Sequence, residues 1–549
     1  MSKELSRGFA RILTNYSRLM ITLVLGIVVV PLAINWLGDE AFGIISLLGA
    51  NIGLAAIFRQ IVQMSLVREL GYAYHTDDQS FRKSYAAICL ISLVCALLTI
   101  VTFGIVFALV PAFKIPPELV NPARWFVFGQ GISTTMLVLL SPMLNMYLVK
   151  ERFVGYSAWL VGVRSSNLIS VIILGYVFAI DNVALGLTIH GLTWAAIAVT
   201  CMITASWIII FKDRRLMFTI KGADKEARKQ VFSTFGWNSG VQVAMNLHEQ
   251  LPPLLLNLFF GSLANASWGI GFRFVAYIRM VTTGVQFGSD AVSARLSSGT
   301  DTEQSRLQLQ RLISVQTKLT AMVALPAAVG IFVYARPIFE LWVGNQIKDY
   351  QGVMPHAVMF ARILSLAILA RAISDTWLIV LYGAGFVHRY AKLVIIGGIV
   401  APVGSLILLF TLPEDIGIYA PPMMFTLVFV TFHLIGIPIV TGRCLHVSTL
   451  SLFAGLWRPF TAVALAIAPA LGWLVYKDQF VAMGFMQPIT KQTAQLLDPT
   501  AIVTSIIIMG IAYAFTSATI ILDSNDRKRI SNGLAPIASK VFKRKDENT

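Results

Sequence analysis

Arg59, Arg164, Arg273, Arg279, Arg362 and Arg371 each stand inside a stretch of otherwise apolar residues. A guanidinium stays charged at any accessible pH, and its planar fork of donors matches phosphate or carboxylate oxygens two at a time. At the centre of a spanning helix it costs at least about 2.5–3.5 kcal/mol on insertion scales, so several in one chain need a common cause. A polar cavity that holds an anion is the simplest one. Glu249 follows His248 and precedes Pro252-Pro253. It can neutralise an embedded arginine or titrate as a coupling-ion site, with His248 as a second proton carrier. Asp375 stands four residues after Arg371, the spacing of an ion pair within one helix. Arg273 and Arg279, six residues apart, point in different directions, so one can face a cavity and the other a partner.

Other polar residues surround these. Arg7, Arg11 and Arg18, with Asn15, share one face of a helix leading into the first apolar run. That face suits either anionic headgroups or the cytoplasmic mouth of an anion cavity. Arg59 and Arg164 lie toward the cytoplasmic ends of their runs and can also snorkel to the interface. Proline removes a backbone donor and kinks a helix, so Pro252, Pro253 and Pro326 are candidate hinges, with a break or hinge that lines a cavity expected at the pair. There is no phosphate loop, dinucleotide turn, HExxH or GxSxG pattern. The four cysteines have no metal-type spacing, and no cofactor is expected.

The elements that must position these groups follow from composition. With 56% hydrophobic residues, 13% charged and a mean hydropathy of +0.74, the chain is a polytopic membrane protein. The apolar blocks reach the roughly 20 residues a bilayer-crossing helix requires. Alternation, the mark of a barrel, is absent, so the fold class is all-α. The expected spans are 19–37, 41–66, 84–112, 124–148, 157–180, 184–211, 231–260, 262–294, 312–343, 355–383, 392–411, 419–441, 457–475 and 500–522. Of the 43 Lys and Arg, 31 then fall in or beside cytoplasmic segments, 6 in or beside external ones and 6 within spans. The asymmetry puts both termini inside. The net charge of +16 therefore reports topology, and nucleic acid is set aside as a partner.

The basic connection 212–230 divides the chain into an N-terminal six-helix bundle, 1–211, and a second, 231–441. Two further helices, 442–522, and a basic cytoplasmic tail, 523–549, follow. Gly38-Asp39-Glu40-Ala41-Phe42-Gly43-Ile44 is weakly similar to Ala266-Ser267-Trp268-Gly269-Ile270. Six spans separate the two, so a repeat would be parallel, about an axis along the membrane normal, around a V-shaped central cavity. External loops are short, which argues against a membrane-embedded ligase or polymerase with catalytic residues on a soluble loop. A transporter rather than an enzyme is expected.

Three stretches carry a family resemblance: Pro31 to Ile44, the Trp268-Gly269-Ile270-Gly271-Phe272-Arg273 run, and Ala335-Arg336-Pro337-Ile338-Phe339-Glu340-Leu341-Trp342-Val343-Gly344. They resemble the polysaccharide and O-antigen flippase branch of the multidrug/oligosaccharidyl-lipid/polysaccharide superfamily. The resemblance implies movement of a polyprenyl-diphosphate-linked oligosaccharide, such as an O-antigen, lipopolysaccharide or exopolysaccharide repeat unit, across a bacterial cytoplasmic membrane. It also implies membrane lipids as surroundings and polysaccharide polymerase or assembly proteins as partners. On that reading Arg59, Arg164, Arg273, Arg279 and Arg371 contact the diphosphate, with Arg11, Asn15 and Arg18 at the cytoplasmic mouth. Glu249, His248 and Asp375 are the candidates for ion coupling. The alternative within the superfamily is an ion-coupled multidrug or organic-cation antiporter, whose cavity would be dominated by acids.

Overall fold

The computed structural model describes residues 3–76, 78–150, 152–179, 182–223, 236–286, 289–297 and 303–522. They are helical, with no strand among the described residues. The first helical tract, Lys3–Thr76, is broken at Gly38, whose φ of 80° and ψ of 172° belong to a region that glycine alone enters freely. Its arms are α1 (3–37) and α2 (39–76). There follow α3 (Asp78–Leu109), α4 (Pro117–Val149), α5 (Phe153–Val177), α6 (Val183–Lys212), α7 (Gly236–Phe260), α8 (Ser262–Gln286), α9 (Glu303–Val343), α10 (Tyr350–Gly383), α11 (Val387–Thr411), α12 (Ala420–Leu445), α13 (Trp457–Tyr476) and α14 (Pro499–Ile521). Asn182, Asp349 and Asp498 cap α6, α10 and α14 by accepting from backbone N–H groups of the first turn.

Among the described residues, eleven helices are long and apolar enough to cross a membrane, which makes the chain a multi-pass membrane protein. α7 and α8 are each 25 residues long yet fall outside that number. The polar residues that hold them below it, His248, Glu249, Arg273 and Arg279 among them, are those singled out by chemistry. Large apolar residues such as Trp207, Phe211, Phe410 and Phe515 remain exposed on the outer faces, where a bilayer rather than a protein core would cover them.

Helices α1 to α6 pack largely on one another, with α4 against α6 the most extensive pairing, and α8, α9 and α10 form the densest part of the remainder. The two glycines aligned by the internal similarity meet at one crossing. Gly43 of α2 lies against the Ser262 carbonyl at the start of α8, and Gly269 of α8 lies against Phe42 and Ser46 of α2. A β-carbon on Gly43 would approach that carbonyl oxygen to 1.9 Å, so the helices can be this close only without one. Helices α13 and α14 join the rest through α9, where Val333 and Tyr334 share an apolar cluster with Leu474 and Ile502. The Tyr334 hydroxyl is 2.7 Å from Ser505 Oγ.

Candidate functional site: a shared carboxylate among buried guanidiniums

Helices α7, α8 and α10 bring together four of the charges the sequence placed in the bilayer. Glu249 accepts two hydrogen bonds from Arg279 Nη1, at 2.9 Å and 2.8 Å, and a further, very short one from Arg371 Nη1. Arg371 Nε in turn lies 3.5 Å from Asp375 Oδ2. One carboxylate thus serves two guanidiniums, and the pair within α10 anticipated from its spacing is formed. Side-chain exposure rises from 4% at Arg371 through 14% at Glu249 to 37% at Arg279. The cluster therefore opens on its Arg279 side.

Arg273 points away from this group, as the six-residue spacing requires. It is half-buried and makes no ion pair or hydrogen bond to any described residue. Tyr277, one turn further along α8, has its hydroxyl buried without a partner among the described residues, next to Gly26 of α1. A cation and a hydroxyl donor thus stand together on the face of α8 toward α1.

An aromatic wall backs the charges. Arg371 lies 5.2 Å from the Phe429 ring, and His248 stacks on that ring at 4.4 Å. His248 Nε2 sits 3.1 Å from the Phe425 carbonyl, an acceptor, so Nε2 carries the proton. His433, 4.7 Å from the Phe429 ring, reaches Ser374.

α7 continues through Pro252 and Pro253, so of the break or hinge expected at the pair the helix shows no break. What the prolines do is local. Each lacks the N–H that would bond the carbonyl four residues back, so the carbonyls of His248 and Glu249 lose their helical partners. The same condition holds for Pro326 in α9, which also remains helical.

The other expected site residues are scattered. Arg18 is half-buried, its guanidinium 5.7 Å from the Tyr156 ring. Arg164 is exposed on α5. The side chains of Arg11, Asn15 and Arg59 lie outside the described residues. Arg362 does not share the common cause proposed for the embedded arginines. It donates to the carbonyls of Phe332, Met483 and Gly484 at 3.1, 2.6 and 3.0 Å and stacks on Phe485, so it anchors the loop between α13 and α14. Arg336, fully buried, does the same through Thr493 and Thr490. Its burial was hidden in the sequence by its place at the external end of a helix.

A second group of residues that sequence reasoning passed over closes the external end. Asp39, in the turn between α1 and α2, accepts from the N–H groups of Lys348 and Asp349, each at 2.8 Å. Asn257 of α7 accepts from Lys114 N at 3.2 Å, and Lys114 Nζ donates to the Phe259 carbonyl at 2.7 Å. These contacts join the first six helices to the end of α7 and to the loop between α9 and α10. Their signal was only the turn chemistry of Gly38-Asp39.

No protein-family model and no curated protein matches the sequence, and the relationships lie in the fold. The chain is similar to a solved "Lipid II flippase MurJ, inward closed conformation", at 12% identity and a TM-score of 0.62, over 92% of this chain and 98% of that one. It is also similar to an inward-facing multidrug resistance MATE family transporter of the MOP superfamily, at 13% identity and a TM-score of 0.59, over 80% and 98%. An outward-facing MATE transporter gives 13% identity and a TM-score of 0.53, over 81% and 95%. The fold is shared with both groups.

Proposed function

We propose that this chain is a flippase which carries a polyprenyl-diphosphate-linked oligosaccharide, such as a polysaccharide or O-antigen repeat unit, across the bacterial cytoplasmic membrane by alternating access between two six-helix bundles. The observation that carries the reading is an excess of guanidiniums over carboxylates: Arg279 and Arg371 share Glu249, Arg371 also pairs with Asp375, and Arg273, on another face of α8, has no counter-ion among the described residues. A diphosphate brings at least two charges and more acceptor oxygens than one carboxylate. It can take over Arg279, the exposed member, while Glu249 and Asp375 keep Arg371. Two unit charges 4 Å apart interact by about 4 kcal/mol at an effective dielectric of 20, so the exchange is within reach of ordinary binding energies.

The likeness to MurJ extends over more of this chain than the likeness to the MATE transporters does, as expected if α13 and α14 have counterparts there. The antiporter reading needs carboxylates free to meet cations or protons. Here Glu249 and Asp375 are both held by arginine. Binding of a fluorescent polyprenyl diphosphate to the purified protein tests the exchange. Arg279→Ala should weaken binding by about tenfold or more, as expected for loss of a charge-assisted pair, and Glu249→Gln should tighten it by removing the competitor. Weaker binding in the Glu249→Gln protein, with its fold intact, would contradict the exchange.

A further inference from the structure

The cytoplasmic end of the first bundle carries a site that the transport reading does not use. A cavity of about 600 Å³ is lined there by Lys150, Arg152, Lys212 and Arg215, with Asp213 as the acidic member. Asp213 engages Lys150 at 2.6 Å and Arg215 at 3.0 Å. Arg152 and Lys212 are exposed and have no side-chain partner among the described residues. The same two residues also line a second space of about 480 Å³, which runs along α5 and α6 past Ala158, Gly162, Thr204 and Ile208. The second space is apolar, and its neighbours Trp207 and Phe211 are 63% and 73% exposed, as residues facing acyl chains are. A basic cavity and an apolar groove thus share their junction.

We propose that this junction holds one anionic phospholipid, its phosphate at Arg152 and Lys212 and one acyl chain in the groove of α5 and α6. Charge complementarity selects the head, the groove requires a chain, and the depth places both at the cytoplasmic leaflet, whose anionic lipids attract basic residues. A zwitterionic lipid fits the groove without matching the net positive cavity.

Native mass spectrometry of the full chain, extracted from bilayers of equal phosphatidylglycerol and phosphatidylcholine, tests the site. The wild type should retain one phosphatidylglycerol in preference to phosphatidylcholine. Removing a basic residue near an anionic surface weakens attraction about fivefold, so Arg152→Gln with Lys212→Gln should lower retention about 25-fold. Ala158→Phe fills the groove at an exposed position and leaves every charge in place. It should also abolish selective retention, and soluble glycerol phosphate should not displace the lipid from the wild type. Retention that survives Ala158→Phe, or equal retention of the two lipids, would overturn the proposal in favour of a surface that attracts anions, including acidic protein segments, by charge alone. An unchanged unfolding temperature in each variant separates these results from misfolding.

Discussion

At the residue scale, the charges differ in cost and in use. Removing one member of a buried ion pair leaves its partner uncompensated, which typically costs about 3–5 kcal/mol. Glu249→Leu leaves Arg371 with Asp375 as its one carboxylate and should lower stability by up to about that amount, while Glu249→Leu with Arg371→Met should recover much of the loss. A thermal unfolding series across the double-mutant cycle measures this, and full additivity would mean that the two side chains do not interact. Arg279 is more exposed, so its truncation should cost less stability and more binding. The pairing within α10 was legible because Arg371 and Asp375 lie on one helix at a fixed spacing. The link from Glu249 to Arg279 and Arg371 offered only a statement of need, since it joins three helices whose mutual rotation no periodicity encodes. Arg362 shows the limit of that logic: an embedded guanidinium can be satisfied by backbone carbonyls, and nothing in the local sequence distinguishes those from an anion.

At the scale of elements, α7 joins the charge cluster to its own softness. Pro252 and Pro253 leave unbonded the carbonyls of the residues that carry the site, so bending there disturbs Glu249 directly. Replacing both prolines with alanine restores two helical bonds. It should raise the unfolding temperature and slow transport severalfold, measured on the same purified protein. Faster transport in the alanine variant would remove the prolines from the conformational cycle. At the external end, Asp39→Ala leaves two backbone donors without an acceptor, and a shift of 1.4 kcal/mol changes the closed-to-open ratio about tenfold. A cysteine probe placed among the described residues beneath the external loops should then label faster from outside. On the cytoplasmic side, the hydrogen bond from Arg215, with Lys150 beside it, holds the Asp213 carboxyl well below the usual carboxylate range. A depressed pKa contributes stability above the unfolded value of about 3.9 and loses it as pH falls below that. Hydrogen exchange in the 213–216 turn should therefore be flat from pH 8 to about 4, apart from the intrinsic rate, and accelerate only at lower pH.

At the scale of the molecule, much of the architecture could be read from apolar length alone, because a bilayer fixes both the length of a spanning helix and the need to satisfy its backbone internally. The turn at Gly38 and the short external loops fell where turn chemistry put them. The contacts between the two sets of helices were not legible, because Asp39 meets Lys348 and Asp349, and Lys114 meets Asn257, across large separations in the chain. The anchoring of the loop between α13 and α14 by Arg336 and Arg362 escaped for the same reason. Together these features describe arginines set against fewer carboxylates on α7, α8 and α10, with contacts that tie the first six helices to the next six. The direct test is to reconstitute the protein in liposomes with a fluorescent polyprenyl-diphosphate oligosaccharide and follow its appearance in the opposite leaflet. The account predicts movement by the wild type that Arg273→Ala with Arg279→Ala reduces at least about tenfold, as loss of two charge-assisted contacts implies. Undiminished movement by that variant, or no movement of the lipid together with accumulation of organic cations, would contradict it.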